Sequence, residues 1–495
     1  MPRSLPFPIL TAAEAAAHVR NGATVGFSGF TPAGAAKAVP RAIAAHAREL
    51  HSRNEPFQIR VLTGASTGAA LDETLAQANA ISWRAPYQSS RTLREQMNAG
   101  AVSFIDMHLS HLPQALLEGF LGRMDVAVIE ATDVMPDGRV FLSSSIGASP
   151  TFLRCADRVI IEINRAQSPR LAEMADVFHL DPPPHRNAIP LRDVMSRIGT
   201  PWAACDPKKI IGIVETNEPD DVSPFTEPDA ASDRIAEHVV NFLIREHQLG
   251  RIPKEFLPLQ AGVGNVANAV MIGLGKSTEI PPFTMYTEVF QDGLVGLMES
   301  GKLVGASTTA LTLSPSKMKH VFDNIDFFAP RIVLRPQEIS NNPGIVRRLG
   351  VITINTALEI DIYGHINSTH VAGTQMMNGI GGSGDFTRNA YLSIYMAPSV
   401  AKGGRISTIV PMASHVDHNE HSVQIVVTEQ GIADLRGLGP AERAKALIEN
   451  CAHPLYRDYL MRYVAESRQG HLRHDLAKCF ELHRNLLEFG TMLPS

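Results

Sequence analysis

The segment PPFTMYTEVFQDG sets one carboxylate, Glu288, between apolar flanks, Met285-Tyr286 before it and Val289-Phe290 after it. An acid in such company lies beside a buried strand rather than on a solvated face, where burial disfavours its charge unless donors or cations compensate. Two readings stand: a glutamate satisfied by backbone donors at a strand end, or a nucleophile. Two glycine-rich segments, GVGNVAN and NGIGGSGDF, favour the second, because glycine lets a substrate approach backbone N–H groups closely. APSVAKGGR adds Lys402 and Arg405, cations suited to phosphate and carboxylate groups. A carboxylate nucleophile with N–H donors suits acyl transfer: the acid stores the activated acyl bond covalently, and the donors meet each oxyanion. Backbone N–H groups near Gly382 and in the Val263-Gly264 turn are the expected donors.

Other patterns are weaker. GLGKST, from Gly273 to Thr278, resembles the end of a phosphate-binding loop, but the first glycine that motif needs is replaced by Val270. GVGNVA from Gly262 and GIGGSG from Gly379 fit dinucleotide-binding spacings, yet neither is followed by an acid about 20 residues on at the end of a second strand. They read as glycine turns. GASTG, from Gly64 to Gly68, has the spacing of a serine-hydrolase elbow around Ser66 between a strand and a possible helix, which keeps a water-based hydrolase as an alternative. His415, His418 and His421, with Asp417 and Glu420, supply enough ligands for a metal, but their spacing matches no HExxH pattern and a polar turn between strands explains them. No metal is expected.

The elements that must position these residues are of one kind. An apolar run at Ala23 to Phe27 enters the loop SGFTPAG, and Ala35 to Leu50 then reads as a helix; in the second half PLQ enters AGVGNVANAV, again strand, glycine turn, helix. DVAVIEATDVMPDGRVFLSSSIG parallels GVITINTALEIDIYGHINSTHVAG in the same way. This predicts an α/β protein of two similar open α/β domains, an internal duplication with largely parallel sheets buried on both faces, and a mostly helical tail from Pro440 to Leu487. The Pro-rich, acidic stretch Glu215 to Asp229 marks the boundary, giving domains 1–220 and 221–495. Ser232 is the expected cap of the helix that follows.

Bulk properties agree. A chain of 495 residues exceeds what one core supports, so two domains of roughly 200 to 250 residues are expected. Net charge is -5 with no long single-sign run, which disfavours nucleic acid or anionic lipid as partner. The four cysteines lie far apart without a CxxC pair, pointing to a reducing compartment. Without an apolar signal core or a stretch of about 18 apolar residues, a cytoplasmic enzyme is expected, with no membrane partner.

The segments GVGNVANAV, YTEVFQDG, ALEIDIYGHINST, NGIGGSGDF, PSVAKGGRISTIVP and SHVDHNEHSVQIVVTEQGIADLRG resemble the acetyl-CoA hydrolase/transferase family, specifically its succinyl-CoA:acetate CoA-transferases. The likeness covers nearly the whole chain; GFSGFTPAGAAKAVP departs only at Ala35-Ala36, where a bulkier pair is expected. The resemblance implies a CoA-transferase fold with acyl-CoA held mainly by the second domain. Glu288 matches the glutamate that becomes a glutamyl-CoA thioester. Val263, Gly264, Asn265, Val266 and Ala267 match the CoA-contacting glycine turn, and Asn378, Gly382 and Lys402 match further CoA contacts. Leu358, Asn341 and Glu429 match positions at the wall of the substrate pocket. By the same resemblance no cofactor is permanently bound, coenzyme A being substrate and covalent intermediate, the other substrates are small carboxylates, and the chain is a homodimer. The family alternative is an acyl-CoA hydrolase with water as acceptor.

Overall fold

The computed structural model describes residues 6–223 and 227–493; residues 224–226 of the expected linker, and 1–5 at the amino terminus, lie outside them. Contacts divide the chain into two compact units. The first comprises Met1–Pro224, Thr284–Glu299 and Leu303–Ile345, and the second Phe225–Phe283, Ser300–Lys302 and Val346–Ser495. This differs from the expected division at 220/221, because Glu288 joins the amino-terminal unit. The reason is backbone pairing: Ser145 bridges Ala310, Gly147 bridges Pro336, and Ala175 bridges Leu334. The Leu311 and Ile146 N–H groups also donate to Ser144 and Thr309 carbonyls, both at 2.9 Å.

In the first unit the sheet strands are β1 (Thr24–Phe27), β2 (Ile59–Leu62), β3 (Ile81–Ala85), β4 (Ser103–Phe104), β5 (Val126–Val134), β6 (Arg139–Leu142), β7 (Arg158–Asn164), β8 (Ala203–Ala204) and β9 (Ile210–Thr216). A parallel path β4-β3-β2-β1-β5-β7-β9 runs through it, with β6 and β8 added antiparallel. Strand β1 is buried along its whole length, as the apolar run predicts for a strand covered on both faces. Val25 and Phe27 share a core with Val39, Ile43, Ala44 and Ala47 of the Ala38–Ser52 helix. Strand order reverses between β1 and β5, so the loop leaving β1, 28–37, occupies the topological switch point at which open α/β sheets bind ligands.

The second unit repeats the scheme. Leu259–Ala261, Ile352–Thr356, Leu392–Met396 and Ile425–Thr428 lie parallel in that order, and Gly431–Asp434 closes the edge antiparallel. The tail forms helices Pro440–Asn450, Pro454–Glu466 and Glu481–Phe489, whose Leu447, Tyr456, Leu460 and Leu482 share a core with Tyr363, Tyr395 and Val426. The helix Ala230–Gln248 is capped by Asp229, which accepts the Ser232 N–H at 2.8 Å, so the expected cap Ser232 is instead the third helical residue. An acid one turn earlier does the same work and adds charge at the positive helix end.

Candidate active site

Glu288 stands in the break between strands Phe283–Tyr286 and Val289–Gln291. Its flanks Met285, Tyr286, Val289 and Phe290 are all buried, as the sequence requires, while Glu288 itself is half-buried. The break is fixed by its backbone: the Glu288 carbonyl accepts from Thr308 Oγ1 at 2.7 Å and from the N–H groups of Thr309 and Ala310 at 2.9 and 3.2 Å. With the main chain pinned, the side chain has a defined origin. Its Oε1 accepts from Asn341 Nδ2 at 2.7 Å, and Asn341 is fully buried, its own Oδ1 accepting from Ser340 Oγ at 2.8 Å. The turn that carries Asn341 is tied down by Tyr286, whose hydroxyl donates to the Ile339 carbonyl. A neutral donor stabilises an ionised carboxylate without consuming its charge in an ion pair, which leaves it nucleophilic.

Val289, next in sequence, packs with Phe30, Ala33, Ala65, Leu109 and Ala310. Phe30 and Ala33 come from the loop after β1, and Ala65 from the GASTG loop after β2. Sequence reasoning quoted both loops without assigning either to Glu288; their shared place after consecutive parallel strands was the available signal. The second loop is braced by a buried ion pair, since Arg84 holds Asp72 at 2.9 Å and the Ala65 carbonyl at 3.0 Å, and Asp72 accepts the Thr67 N–H at 2.9 Å.

The remaining expected site residues belong to the second unit, and most hang from the carboxyl ends of its parallel strands. Val263 to Ala267 follow Leu259–Ala261, Leu358 follows Ile352–Thr356, Lys402 follows Leu392–Met396, and Glu429 follows Ile425–Thr428. Gly264, at φ 120° with open space where a Cβ would stand, precedes the helix Asn265–Lys276. Its need for glycine is conformational, and its N–H end stays approachable. Val263 is half exposed at 50%, Asn265 is exposed, Val266 is intermediate, and Ala267 is buried. Leu358 is 41% exposed, its N–H donating to the Asn367 carbonyl at 2.9 Å.

Lys402 is exposed in the hairpin joining Val400–Ala401 to Ile406–Ser407, at φ 48°, a left-handed backbone uncommon for residues other than glycine. Glu429 braces the chain just before that hairpin: it accepts from the Ser399 N–H at 2.8 Å, from the Ser399 hydroxyl, and from Gln430 Nε2 at 3.0 Å. Burial pushes its carboxyl up, but these donors outweigh it and hold the group below the ordinary glutamate range. Asn378 and Gly382 lie between Ile352–Thr356 and Leu392–Met396, Gly382 buried at the start of the short helix Ser383–Thr387. That glycine loop is braced by His418, whose Nε2 pairs with Ser383 Oγ at 3.0 Å and whose ring lies 5.3 Å from that of Tyr395. Asp417 accepts from the Ser368 N–H at 2.6 Å. The SHVDHNEH segment therefore serves as a brace, and among the described residues no group of three or more His, Cys, Asp or Glu is placed to hold a metal. GLGKST falls at the end of the Asn265–Lys276 helix rather than in a loop.

A strand-loop-helix pattern occurs in both units, with loops at the carboxyl ends of parallel strands, as in open α/β folds that bind ligands there. The fold matches a solved 4-hydroxybutyrate CoA-transferase from Porphyromonas gingivalis with a TM-score of 0.63, covering 92% of this chain and 97% of that one at 21% identity, a likeness of fold alone. The chain belongs to the acetyl-CoA hydrolase/transferase family: that family's N-terminal domain matches residues 6–215 and its C-terminal domain residues 318–464. It is 58% identical over 484 residues to a propanoyl-CoA:succinate CoA transferase of Escherichia coli, covering 98% of each chain. To a succinyl-CoA:acetate CoA-transferase of Clostridium kluyveri it is 47% identical over 487 residues, covering 98% of this chain and 90% of the other.

Proposed function

We propose that this protein is an acyl-CoA:carboxylate CoA-transferase that exchanges coenzyme A between short acids of the succinate, propanoate and acetate class through a covalent thioester on Glu288. The observation that carries the reading is the pinned Glu288 carboxylate, with Asn341 Nδ2 2.7 Å from Oε1.

Glu288 attacks the thioester carbonyl of acyl-CoA, the C–S bond breaks, and an acyl-glutamyl anhydride and CoA thiolate result. The thiolate adds to the glutamyl carbonyl, the first acid leaves as carboxylate, and glutamyl-CoA remains. The acceptor acid then runs these steps in reverse, forming a new acyl-CoA and restoring the Glu288 carboxylate. Each addition at the glutamyl carbon turns its carbonyl oxygen into an oxyanion. Asn341 Nδ2, already bonded to Oε1, is the donor for that charge, a contact worth roughly 3 to 4 kcal/mol where such donors have been removed. Coenzyme A is held by loops of the second unit: the Val263, Gly264, Asn265, Val266 and Ala267 turn, Asn378, Gly382 and Lys402, with Leu358 and Glu429 shaping the wall.

The family description also names hydrolysis, so water as acceptor is the second reading. CoA release from succinyl-CoA with and without acetate separates the two: release that continues undiminished without acetate contradicts transfer. We place the enzyme in the cytoplasm, as a homodimer without a permanently bound cofactor. Among the described residues no helix is long and apolar enough to cross a membrane.

A further inference from the structure

We propose that Lys37 is a positioning residue that sets the preference for a carboxylic acid over water at Glu288, by tying the 29–36 loop to the buried carboxylates Glu130 and Asp220. This rests on the reading of Glu288 as the acceptor of coenzyme A.

Lys37 is 2% exposed, and three acceptors meet its ammonium: the Ala35 carbonyl at 2.8 Å, Asp220 Oδ1 at 3.0 Å and Glu130 Oε2. Burial works against its charge, but Glu130 and Asp220 outweigh it and hold its pKa above the ordinary lysine value. The two acids are themselves saturated. Glu130 also accepts from Ser143 Oγ at 2.7 Å and Asn164 Nδ2 at 2.9 Å, and Asp220 from Gln167 Nε2 at 3.0 Å, Ser144 Oγ and the Gly34 N–H at 3.2 Å. A third acid, Glu162, lies beside Glu130 in the β5–β7 register and accepts the N–H groups of Lys37, Ala38 and Val39, so it caps the Ala38–Ser52 helix from a neighbouring strand. An ammonium with its hydrogen bonds made to two buried acids is a costly construction, tolerated where it fixes geometry.

The geometry fixed is that of the loop. Between β1 and Lys37 the chain passes through positive φ at Gly29 (124°), Thr31 (59°) and Gly34 (63°). A Cβ on Gly34 would stand 2.5 Å from Ser145 Oγ. For a threonine the left-handed region costs roughly 1 to 2 kcal/mol, so such a loop holds its shape only through outside ties. At one end the ties are Lys37 and Asp220; at the other, Ser145 Oγ donates to the Ala33 carbonyl at 2.8 Å and the hydroxyls of Thr31 and Thr312 meet. Strand Ala310–Thr312 in turn pairs in parallel with Val289–Gln291, Ala310 opposite Val289. The loop thereby delivers Phe30 and Ala33 to Val289, the residue after Glu288.

What this wall guards is the activated glutamyl carbonyl. If water adds there instead of an acid, the C–S bond breaks, CoA thiol leaves, and the Glu288 carboxylate returns with release of one proton. A loosened loop admits water and misplaces the acid, and misplacement of about 1 Å costs up to 100-fold in rate.

The test compares full-length Lys37→Met and Asp220→Asn with wild type, using succinyl-CoA with and without acetate. The expected result is a transfer kcat lower by roughly tenfold, a hydrolysis-to-transfer ratio higher by at least about tenfold, and a KM for succinyl-CoA unchanged within about twofold. Loss of folded enzyme alone lowers both rates together and leaves the ratio fixed. An unchanged ratio in folded Lys37→Met overturns the inference; if that variant does not fold, the same two outcomes in Asp220→Asn decide. Borohydride trapping on wild type, which reduces a glutamyl thioester to the alcohol and expels coenzyme A, separates this failure from that of the underlying reading: no reduced Glu288 overturns both, whereas reduced Glu288 with an unchanged ratio overturns only the role of Lys37.

Discussion

Asn341 and Glu288 stand 53 positions apart and meet at 2.7 Å, so the donor of the site was legible only through its motif, whereas the acid announced itself by its apolar flanks. Periodicity and composition carry no information about a contact of that sequence separation. The same holds for Lys37, whose partners Glu130 and Asp220 lie 93 and 183 positions away. If Asn341 Nδ2 meets the oxyanion, Asn341→Ala should lower kcat by about 100-fold with little change in KM for succinyl-CoA, because the contact strengthens in the transition state. Asn341→Asp should lose more, since a second carboxylate against Glu288 repels both the nucleophile and the oxyanion. Steady-state kinetics check both, and a kcat within twofold of wild type for Asn341→Ala would remove the amide from the mechanism.

At the scale of elements, the strand-turn-helix units were legible because buried parallel strands read as short apolar runs, and their glycine turns carry the candidate CoA contacts. Boundaries were less so. The first long helix begins at Ala38 rather than at Ala35, because its cap is Glu162 of β7 and not a residue of its own sequence. The short turn Gln337–Ser340, which presents Asn341, carries its own test. Glu338 there is 2% exposed, and burial pushes its carboxyl up to about 7 against the pull of Arg186 and Arg154. A folded pKa above the unfolded one means the folded state holds the proton longer. Its stabilising contribution is therefore complete below the ordinary glutamate pKa and is lost as pH rises through about 7. Glu338→Gln should accordingly lose less stability than wild type between pH 5 and pH 8, by up to roughly 3 kcal/mol in urea unfolding. Parallel pH profiles for the two proteins would contradict this.

For the whole molecule, the sequence predicted a duplicated α/β chain, and each unit has that scheme, yet the expected cut at 220/221 missed that 284–299 and 303–345 join the amino-terminal unit. A linker-like composition marks where a chain is exposed, but it does not say where later segments return, and here they return by backbone bridges at Ser145, Gly147 and Ala175. The proposed homodimer predicts a particle of twice the chain's 53.7 kDa in light scattering. A mass of one chain across the working concentration range would refute it.

The central claim is that Glu288 carries coenzyme A. Wild-type protein incubated with succinyl-CoA and treated with borohydride or hydroxylamine, then mapped by mass spectrometry, should be modified at Glu288, with no modification in Glu288→Ala. Consumption of thioester with Glu288 left unmodified would contradict the covalent mechanism and turn attention to a water-based hydrolase, with Ser66 the first residue to examine.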